Sequence, residues 1–227
     1  MSTVWSVVLP VKPFAAGKSR LAPELGPWRR ELAHAFFLDT LRAVRAAPGI
    51  RAVVVVTADP LAASQARTMG AVVHQDTPGL GLNGAVRAGA ALSSVLNPGG
   101  PVAALTADLP GLRPRELERA LAEAHRHRRA FVPDHTGAGT TVLTARVPGA
   151  LSPCFGSGSA GLHAASGAVS VESGAGEGLR LDVDTPEDLA LAVRHGVGPF
   201  TTAVLRMRRA VAPAPGRGQE VPASSSS

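Results

Sequence analysis

The sequence predicts an α/β fold with a mostly parallel sheet, and three observations carry that expectation. Strand-like and helix-like stretches alternate along the chain. Val53, Val54, Val55, Val56 and Thr57 form an unbroken β-branched run, the pattern of a strand covered on both faces. The polar clusters fall at strand ends or in glycine-rich loops, where open α/β sheets bind ligands.

Taken in order, residues 6–10 read as the first strand, followed by a Pro/Gly/Lys loop to Arg20. Pro27 suits a first helical turn, and Leu32, Ala35, Phe36, Leu38, Leu41 and Val44 then mark one face of a helix ending near Pro48 and Gly49. After the strand at 53–57 come a short helix at 62–69 and a strand at 71–74. A helix at 83–96 is expected to be capped by Asn83. Residues 102–105 are the next strand, 114–127 a helix and 130–133 a strand. Strands are also expected at 140–144, 167–171 and 179–181, with a closing helix at 186–195. The domain is expected to span residues 1–202. Residues 203–227, rich in Ala, Pro, Gly, Arg and Ser, are expected to form a disordered tail.

The 227 residues, 45% of them hydrophobic, suffice for one sizeable core. No apolar run approaches the ~18–20 residues that cross a bilayer, and the first ten residues lack the basic start of a signal peptide. Cys154 is the sole cysteine, so neither an intrachain disulfide nor a thiolate metal site is expected, and a cytoplasmic location fits. Arg194, Arg206, Arg208, Arg209 and Arg217, opposed only by Glu220, carry most of the net charge of +6. With no Tyr and no basic–aromatic interleaving, nucleic-acid binding is not expected. The bias toward Ala, Gly and Arg is that of GC-rich coding. Within it, Lys12 and Lys18 are the only lysines among 23 basic residues, which hints at a local need for a compact ammonium.

Four clusters could carry chemistry. The first loop offers Lys12, Gly17, Lys18, Ser19 and Arg20, and its backbone amides and cations can hold a triphosphate. It lacks Walker A spacing, and a solvated basic turn is the plainer reading. Asp108, just beyond the strand at 102–105, either caps a turn or ligates Mg²⁺. In the extended stretch Leu181-Asp-Val-Asp-Thr, Asp182 and Asp184 fall on one side, where two carboxylates repel unless a cation lies between them. Thr185 or Asp184 can cap the helix that follows. The fourth cluster pairs residues 137–141 with 155–159, glycines beside hydroxyls that can form an anion nest or an ordinary turn. His125, His127, Arg128 and Arg129 suit a helix C-terminus, while His163 and Cys154 show no partner in the sequence.

In this order the clusters resemble the guanylyltransferases of coenzyme F-420 biosynthesis, the deazaflavin pathway. The matching residues are Val11-Lys-Pro-Phe-Ala-Ala-Gly-Lys-Ser-Arg-Leu21, Gly81-Leu-Asn-Gly-Ala85, Thr106-Ala-Asp-Leu-Pro110, Gly139-Thr-Thr-Val-Leu-Thr144, Phe155-Gly-Ser-Gly-Ser159 and Leu181-Asp-Val-Asp-Thr-Pro-Glu-Asp-Leu189. The resemblance implies a three-layer α/β/α sandwich of the nucleotidyltransferase, glycosyltransferase-A-like type. It implies transfer of GMP from GTP to phosphoenolpyruvate or 2-phospho-L-lactate, with release of pyrophosphate and delivery of the product to the next enzyme of the pathway. The GC-rich composition inclines the acceptor toward phosphoenolpyruvate, the actinobacterial one. By the same resemblance, Thr141, Gly156 and Ser159 contact the acceptor phosphate, and Asp108 with Asp182 or Asp184 holds Mg²⁺. Lys12, Gly17, Lys18 and Arg20 flank the triphosphate, Leu82, Asn83 and Gly84 lie near the base, and Lys18 and Asp108 carry the catalysis. The rival expectations are a relative acting on a molybdenum cofactor or sugar phosphate, and a nucleotide-binding module without catalysis.

Overall fold

The computed structural model describes residues 3–15, 17–172 and 174–211. Seven strands form one sheet in the order β3-β2-β1-β4-β6-β5-β7. They are β1 (Trp5–Val11), β2 (Ile50–Thr57), β3 (Val72–Gln75), β4 (Val102–Leu105), β5 (Arg129–Pro133), β6 (Thr140–Ala145) and β7 (Val169–Ser170). The pairings of β1 with β2 and β4, of β2 with β3 and of β5 with β7 are parallel, while β6 runs against both β4 and β5. Only β6 is therefore reversed, and the expected mostly parallel sheet is present.

Nine helices accompany these strands among the described residues: α1 (Ala22–Leu25), α2 (Trp28–Ala46), α3 (Pro60–Thr68), α4 (Gly81–Leu96), α5 (Pro114–Ala124), α6 (Ser159–Ala165), α7 (Glu177–Arg180), α8 (Pro186–His195) and α9 (Pro199–Val211). Alternation along each strand sorts its side chains into two cores. Val7, Leu9, Val53, Val55, Ala103 and Leu105 pack with α2, α3 and α5 on one face. Val8, Val54, Val56, Val102 and Ala104 pack with α4 and α6 on the other. The run 53–56 is apolar throughout because both faces are covered. Gly89 sets the spacing of α4 on the sheet, since a Cβ there would lie 2.4 Å from Val8 Cγ1.

Three expectations change. Residues 179–181 are not a strand, because Glu177–Arg180 is a single helical turn held where the buried Glu116 carboxylate accepts from the Gly178 N–H. Helix α4 begins at Gly81, so Asn83 lies in its first turn and is not its cap. The chain from 203 to 211 is not a structureless tail: it belongs to α9, and residues 212–227 lie outside the described residues. Val204 of α9 packs in a third apolar cluster with Phe36, Leu32 and Leu189. Asp39 of α2 fastens the start of α9, its carboxylate accepting from Phe200 N–H at 3.1 Å and Thr201 N–H at 2.8 Å. Composition hid this helix because its anchor lies 160 residues earlier in the chain. Asp39→Ala strands two backbone donors, so the urea midpoint should fall by the equivalent of ~1–3 kcal/mol; an unchanged midpoint would mean α9 needs no such anchor.

Candidate active site

Strand β1 sends its chain toward β2 on one side of the sheet, and β4 lies on the other side of β1, which makes a topological switch point between β1 and β4. A cavity of about 760 Å³ opens there. Its walls come from the end of β1 and the following loop (Val11, Lys12, Gly17, Lys18, Ser19, Arg20) and from Thr106 to Asp108 beyond β4. The start of the reversed strand β6 (Thr140), the loop Phe155 to Ser159 and the segment holding Asp182 and Asp184 complete it.

The acidic segments are joined by backbone before any side chain acts. The Val183 N–H donates to the Asp108 carbonyl at 3.1 Å. Val183 is buried, so its neighbours Asp182 and Asp184 turn to the cavity together, as the extended reading requires. Thr185 caps α8, accepting from the Asp188 N–H, while Asp188 Oδ2 accepts from the Thr185 and Asp184 N–H groups. The cap thus uses Thr185 and Asp188 and leaves the Asp184 carboxylate to Lys18.

Lys18 ties the charges together. Its ammonium donates to Asp108 Oδ2 and, at 2.7 Å, to Asp184 Oδ1. Burial would lower its pKa, yet the two carboxylates outweigh burial and hold it above the ordinary lysine value. For Asp184, burial works upward, but Lys18, with Arg20 and Lys12 behind it, holds the carboxyl below its usual range. For Asp182, burial, with Asp108 and Asp184 adding repulsion, outweighs the pull of Lys18 and pushes the carboxyl up to about 8. Asp108 Oδ1 is buried without a hydrogen-bond partner. The cavity also carries Asp134 and Asp188, so its carboxylates outnumber Lys12, Lys18 and Arg20.

The loop that carries Lys18 is held from outside. Asp59, the cap of α3, also accepts from the Phe14 N–H at 3.0 Å. Arg29 of α2 donates to the Gly17 carbonyl and, at 2.9 Å, to the Ala15 carbonyl. Lys18 itself sits at φ 56°, a left-handed conformation that side-chain-bearing residues rarely adopt.

On the opposite wall, the Gly156 carbonyl accepts from the Ser159 N–H at 3.2 Å. The Ser159 amide is therefore engaged, and its hydroxyl, which makes no hydrogen bond among the described residues, is the group left to a ligand. Gly156 has φ 140°, and a Cβ there would meet no protein atom within 4 Å. Asp134 shapes the adjoining turn by accepting from the Thr136, Ala138 and Gly139 N–H groups.

Of the residues singled out in the sequence, Lys12, Gly17, Lys18, Arg20, Leu82, Asp108, Gly156, Ser159, Asp182 and Asp184 all line this cavity. Thr141, Asn83 and Gly84 do not. Thr141 is fully buried, with its hydroxyl unpartnered, and its neighbour Thr140 takes the cavity position. Gly84 is buried against Leu80, which a Cβ would strike. Asn83 turns its amide to the Phe155 backbone. Asp59, Arg29 and Asp134 were not anticipated at the site. Asp59-Pro60 shows a helix cap in the sequence, but nothing local points Arg29 at the loop.

His163 is another residue with more partners than the sequence suggests. Its Nε2 accepts from the Cys154 N–H at 3.0 Å, which leaves Nδ1 protonated to donate to Thr140 Oγ1, also at 3.0 Å. Burial, helped by Arg129, pushes its pKa down to about 4. In the unfolded chain the imidazole titrates near ~6.5. Its contribution to stability is therefore full above that value and lost as pH falls toward 4. Denaturation midpoints of the native chain should drop over this window more steeply than those of His163→Gln; parallel pH profiles would contradict a buried neutral imidazole.

The chain resembles known proteins over nearly its whole length. Residues 5–221 match the family described as "Guanylyl transferase CofC like". A phosphoenolpyruvate guanylyltransferase of Thermomonospora curvata is 46% identical over 209 residues, covering 92% of each chain. One of Streptomyces scabiei is 50% identical over 204 residues, covering 88% of this chain and 94% of the relative. Among solved structures, 4-diphosphocytidyl-2C-methyl-D-erythritol synthase of Anaerococcus prevotii superposes with a TM-score of 0.57 at 12% identity, over 85% of this chain and 96% of that one. A cytidylyltransferase of Leptospira borgpetersenii gives 0.54 at 12% identity, over 92% and 95%. At such identities the structures speak for a shared nucleotidyltransferase fold, whereas the sequence matches reach further. The chain belongs to the CofC-like guanylyl transferase family.

Proposed function

We propose that the protein transfers GMP from GTP to phosphoenolpyruvate, with Mg²⁺ as cofactor, and passes the product to the next enzyme of deazaflavin synthesis. The observation that carries this reading is the division of one cavity into a cationic wall and a wall of glycines and hydroxyls, with carboxylates between them. The Lys12–Lys18–Arg20 loop suits a triphosphate, and the Gly156–Ser159 turn suits a second, smaller phosphate. The names of the relatives supply the guanyl group and the acceptor. An acceptor such as 2-phospho-L-lactate offers the same phosphate and carboxylate.

The residues present fit Mg²⁺. Asp108 Oδ1 is buried and unpartnered, and Asp182, raised by burial and by its carboxylate neighbours, receives no hydrogen bond from Lys18 such as Asp184 receives, so both would gain from a cation. Mg²⁺ takes one or two carboxylates and completes its shell with water and phosphate oxygens. Asp108 with Asp182 or Asp184 would hold it, and bound there it supplies neutralisation of the phosphate charges.

An oxygen of the acceptor phosphate attacks the α-phosphorus of GTP, the bond from that phosphorus to the β-bridging oxygen breaks, and pyrophosphate leaves. The acceptor phosphate has a second pKa of about 6, so its attack needs no general base. The chain's work is alignment and charge balance. An ammonium has three donors, and Lys18 spends two on Asp108 and Asp184, which leaves one for a phosphate oxygen. Arg20 and Lys12 stand on the same wall for the departing pyrophosphate. Ser159 offers its hydroxyl to the acceptor, and Gly156 leaves the backbone open to it.

Pyrophosphate release should require GTP, Mg²⁺ and phosphoenolpyruvate together, with the following enzyme added to draw off the product. Release with CTP, or with a sugar phosphate in place of the acid, would favour a relative with another acceptor. Asp108→Asn should lower kcat by about 10²-fold or more while the melting curve is kept, and Lys18→Met should lower kcat as far and the melting temperature with it, because Asp108 and Asp184 lose their counter-charge. Normal turnover of both would reduce the carboxylate and ammonium to structural roles. Ser159→Ala should raise KM for phosphoenolpyruvate about tenfold and leave KM for GTP nearly unchanged. The opposite pattern would exchange the two walls.

A further inference from the structure

We propose that Asn83 is a positioning residue for the acceptor wall: it clamps the Phe155 backbone and thereby fixes the Gly156–Ser159 turn relative to the nucleotide side of the cavity. The inference rests on the reading of that turn as the acceptor-phosphate site. The Asn83 amide pairs with one residue at both ends. Phe155 N–H donates to Oδ1 at 2.8 Å, and Nδ2 donates to the Phe155 carbonyl at 3.0 Å. This reproduces with a side chain the pair of hydrogen bonds that a neighbouring strand would make.

Phe155 needs such a partner because its loop lies outside the sheet ladder. One residue earlier, the Cys154 N–H is taken by His163 Nε2. Three backbone groups on two adjacent residues, Cys154 N–H, Phe155 N–H and Phe155 C=O, are thus satisfied by side chains. His163 belongs to α6, immediately after the turn, and its Nδ1 ties that end to Thr140 of β6, on the far side of β4 from β1. Asn83 belongs to α4, which is packed on β1 and β2 through Val86 and Ala90 and places Leu82 in the cavity wall. The amide is therefore the link from the acceptor turn to the part of the sheet that carries the Lys18 loop. In-line transfer is sensitive to displacements of about 1 Å between its two substrates, and this link sets that distance.

Asn83 does not line the cavity, so a role in reading the base and a role in clamping the loop make different predictions. Cys154, the single cysteine, lies one residue from the clamped position and reports loop opening without any substrate. We would measure its alkylation rate by iodoacetamide, and KM for GTP and for phosphoenolpyruvate, in the full chain and in Asn83→Ala and Asn83→Asp. Asn83→Ala should speed alkylation about tenfold and raise KM for phosphoenolpyruvate about as much, with KM for GTP within about twofold. Asn83→Asp keeps the acceptor for Phe155 N–H but sets an oxygen against the Phe155 carbonyl. It should give the same pattern at smaller size, and it carries the test if the alanine variant fails to fold. Unchanged alkylation in the folded variants, or a rise confined to KM for GTP, would overturn the clamp. A native chain that does not turn over phosphoenolpyruvate would instead overturn the acceptor reading, and the alkylation rates would still decide the clamp.

Discussion

The site depends on one ammonium. Lys18 comes from the loop after β1, Asp108 from the end of β4 and Asp184 from the segment before α8, and only the Lys18 nitrogen touches both carboxylates. Without it, Asp108, Asp182 and Asp184 would share a buried cavity with only the more distant Arg20 and Lys12 as counter-charges, and an unpaired buried ion costs several kcal/mol. The contact places the loop after β1 over the carboxylates. It also leaves their charge only partly cancelled, so a polyanion can enter only with further positive charge.

Holding Lys18 in that place takes the surrounding framework. A left-handed backbone at a lysine costs about 1–2 kcal/mol, and it persists only where neighbours over-determine the loop. Arg29 grips two carbonyls of the loop and Asp59 grips the amide of Phe14. Both belong to elements flanking the β1–β2 part of the sheet, so the geometry of the nucleotide wall follows from how α2 and α3 pack. The opposite wall is organised in the same manner by Asn83, His163 and Asp134. In both walls the groups that would meet phosphate sit on loops, while the groups that aim them sit at helix or strand ends.

The legibility of this arrangement followed sequence distance. Strand alternation, the buried run at Val53–Val56 and the pairing of Asp182 with Asp184 across Val183 are local patterns, and the structure keeps each of them. The reach of Arg29 to Gly17, of Asn83 to Phe155 and of Asp39 to α9 depends on how the sheet orders its strands, which no local window contains. Asn83 shows the limit most clearly. The family resemblance set it near the base, whereas its amide faces a backbone 72 residues away. Thr140 and Thr141 illustrate the pleat: adjacent hydroxyls on one strand face opposite sides, and the residue that borders the cavity is the first. For α9, the Arg- and Ala-rich composition masked an apolar face that only α2 could reveal.

The central claim is that the carboxylate floor admits a triphosphate only together with a divalent cation. Calorimetric titration of GTP into the protein, once with Mg²⁺ and once with the metal chelated, tests it without any turnover. The account predicts binding in Mg²⁺ and an affinity lower by at least about tenfold in chelator, because Asp108, Asp182 and Asp184 then face the phosphates with Lys18 as their nearest counter-charge. Equal affinity in the two titrations would contradict it.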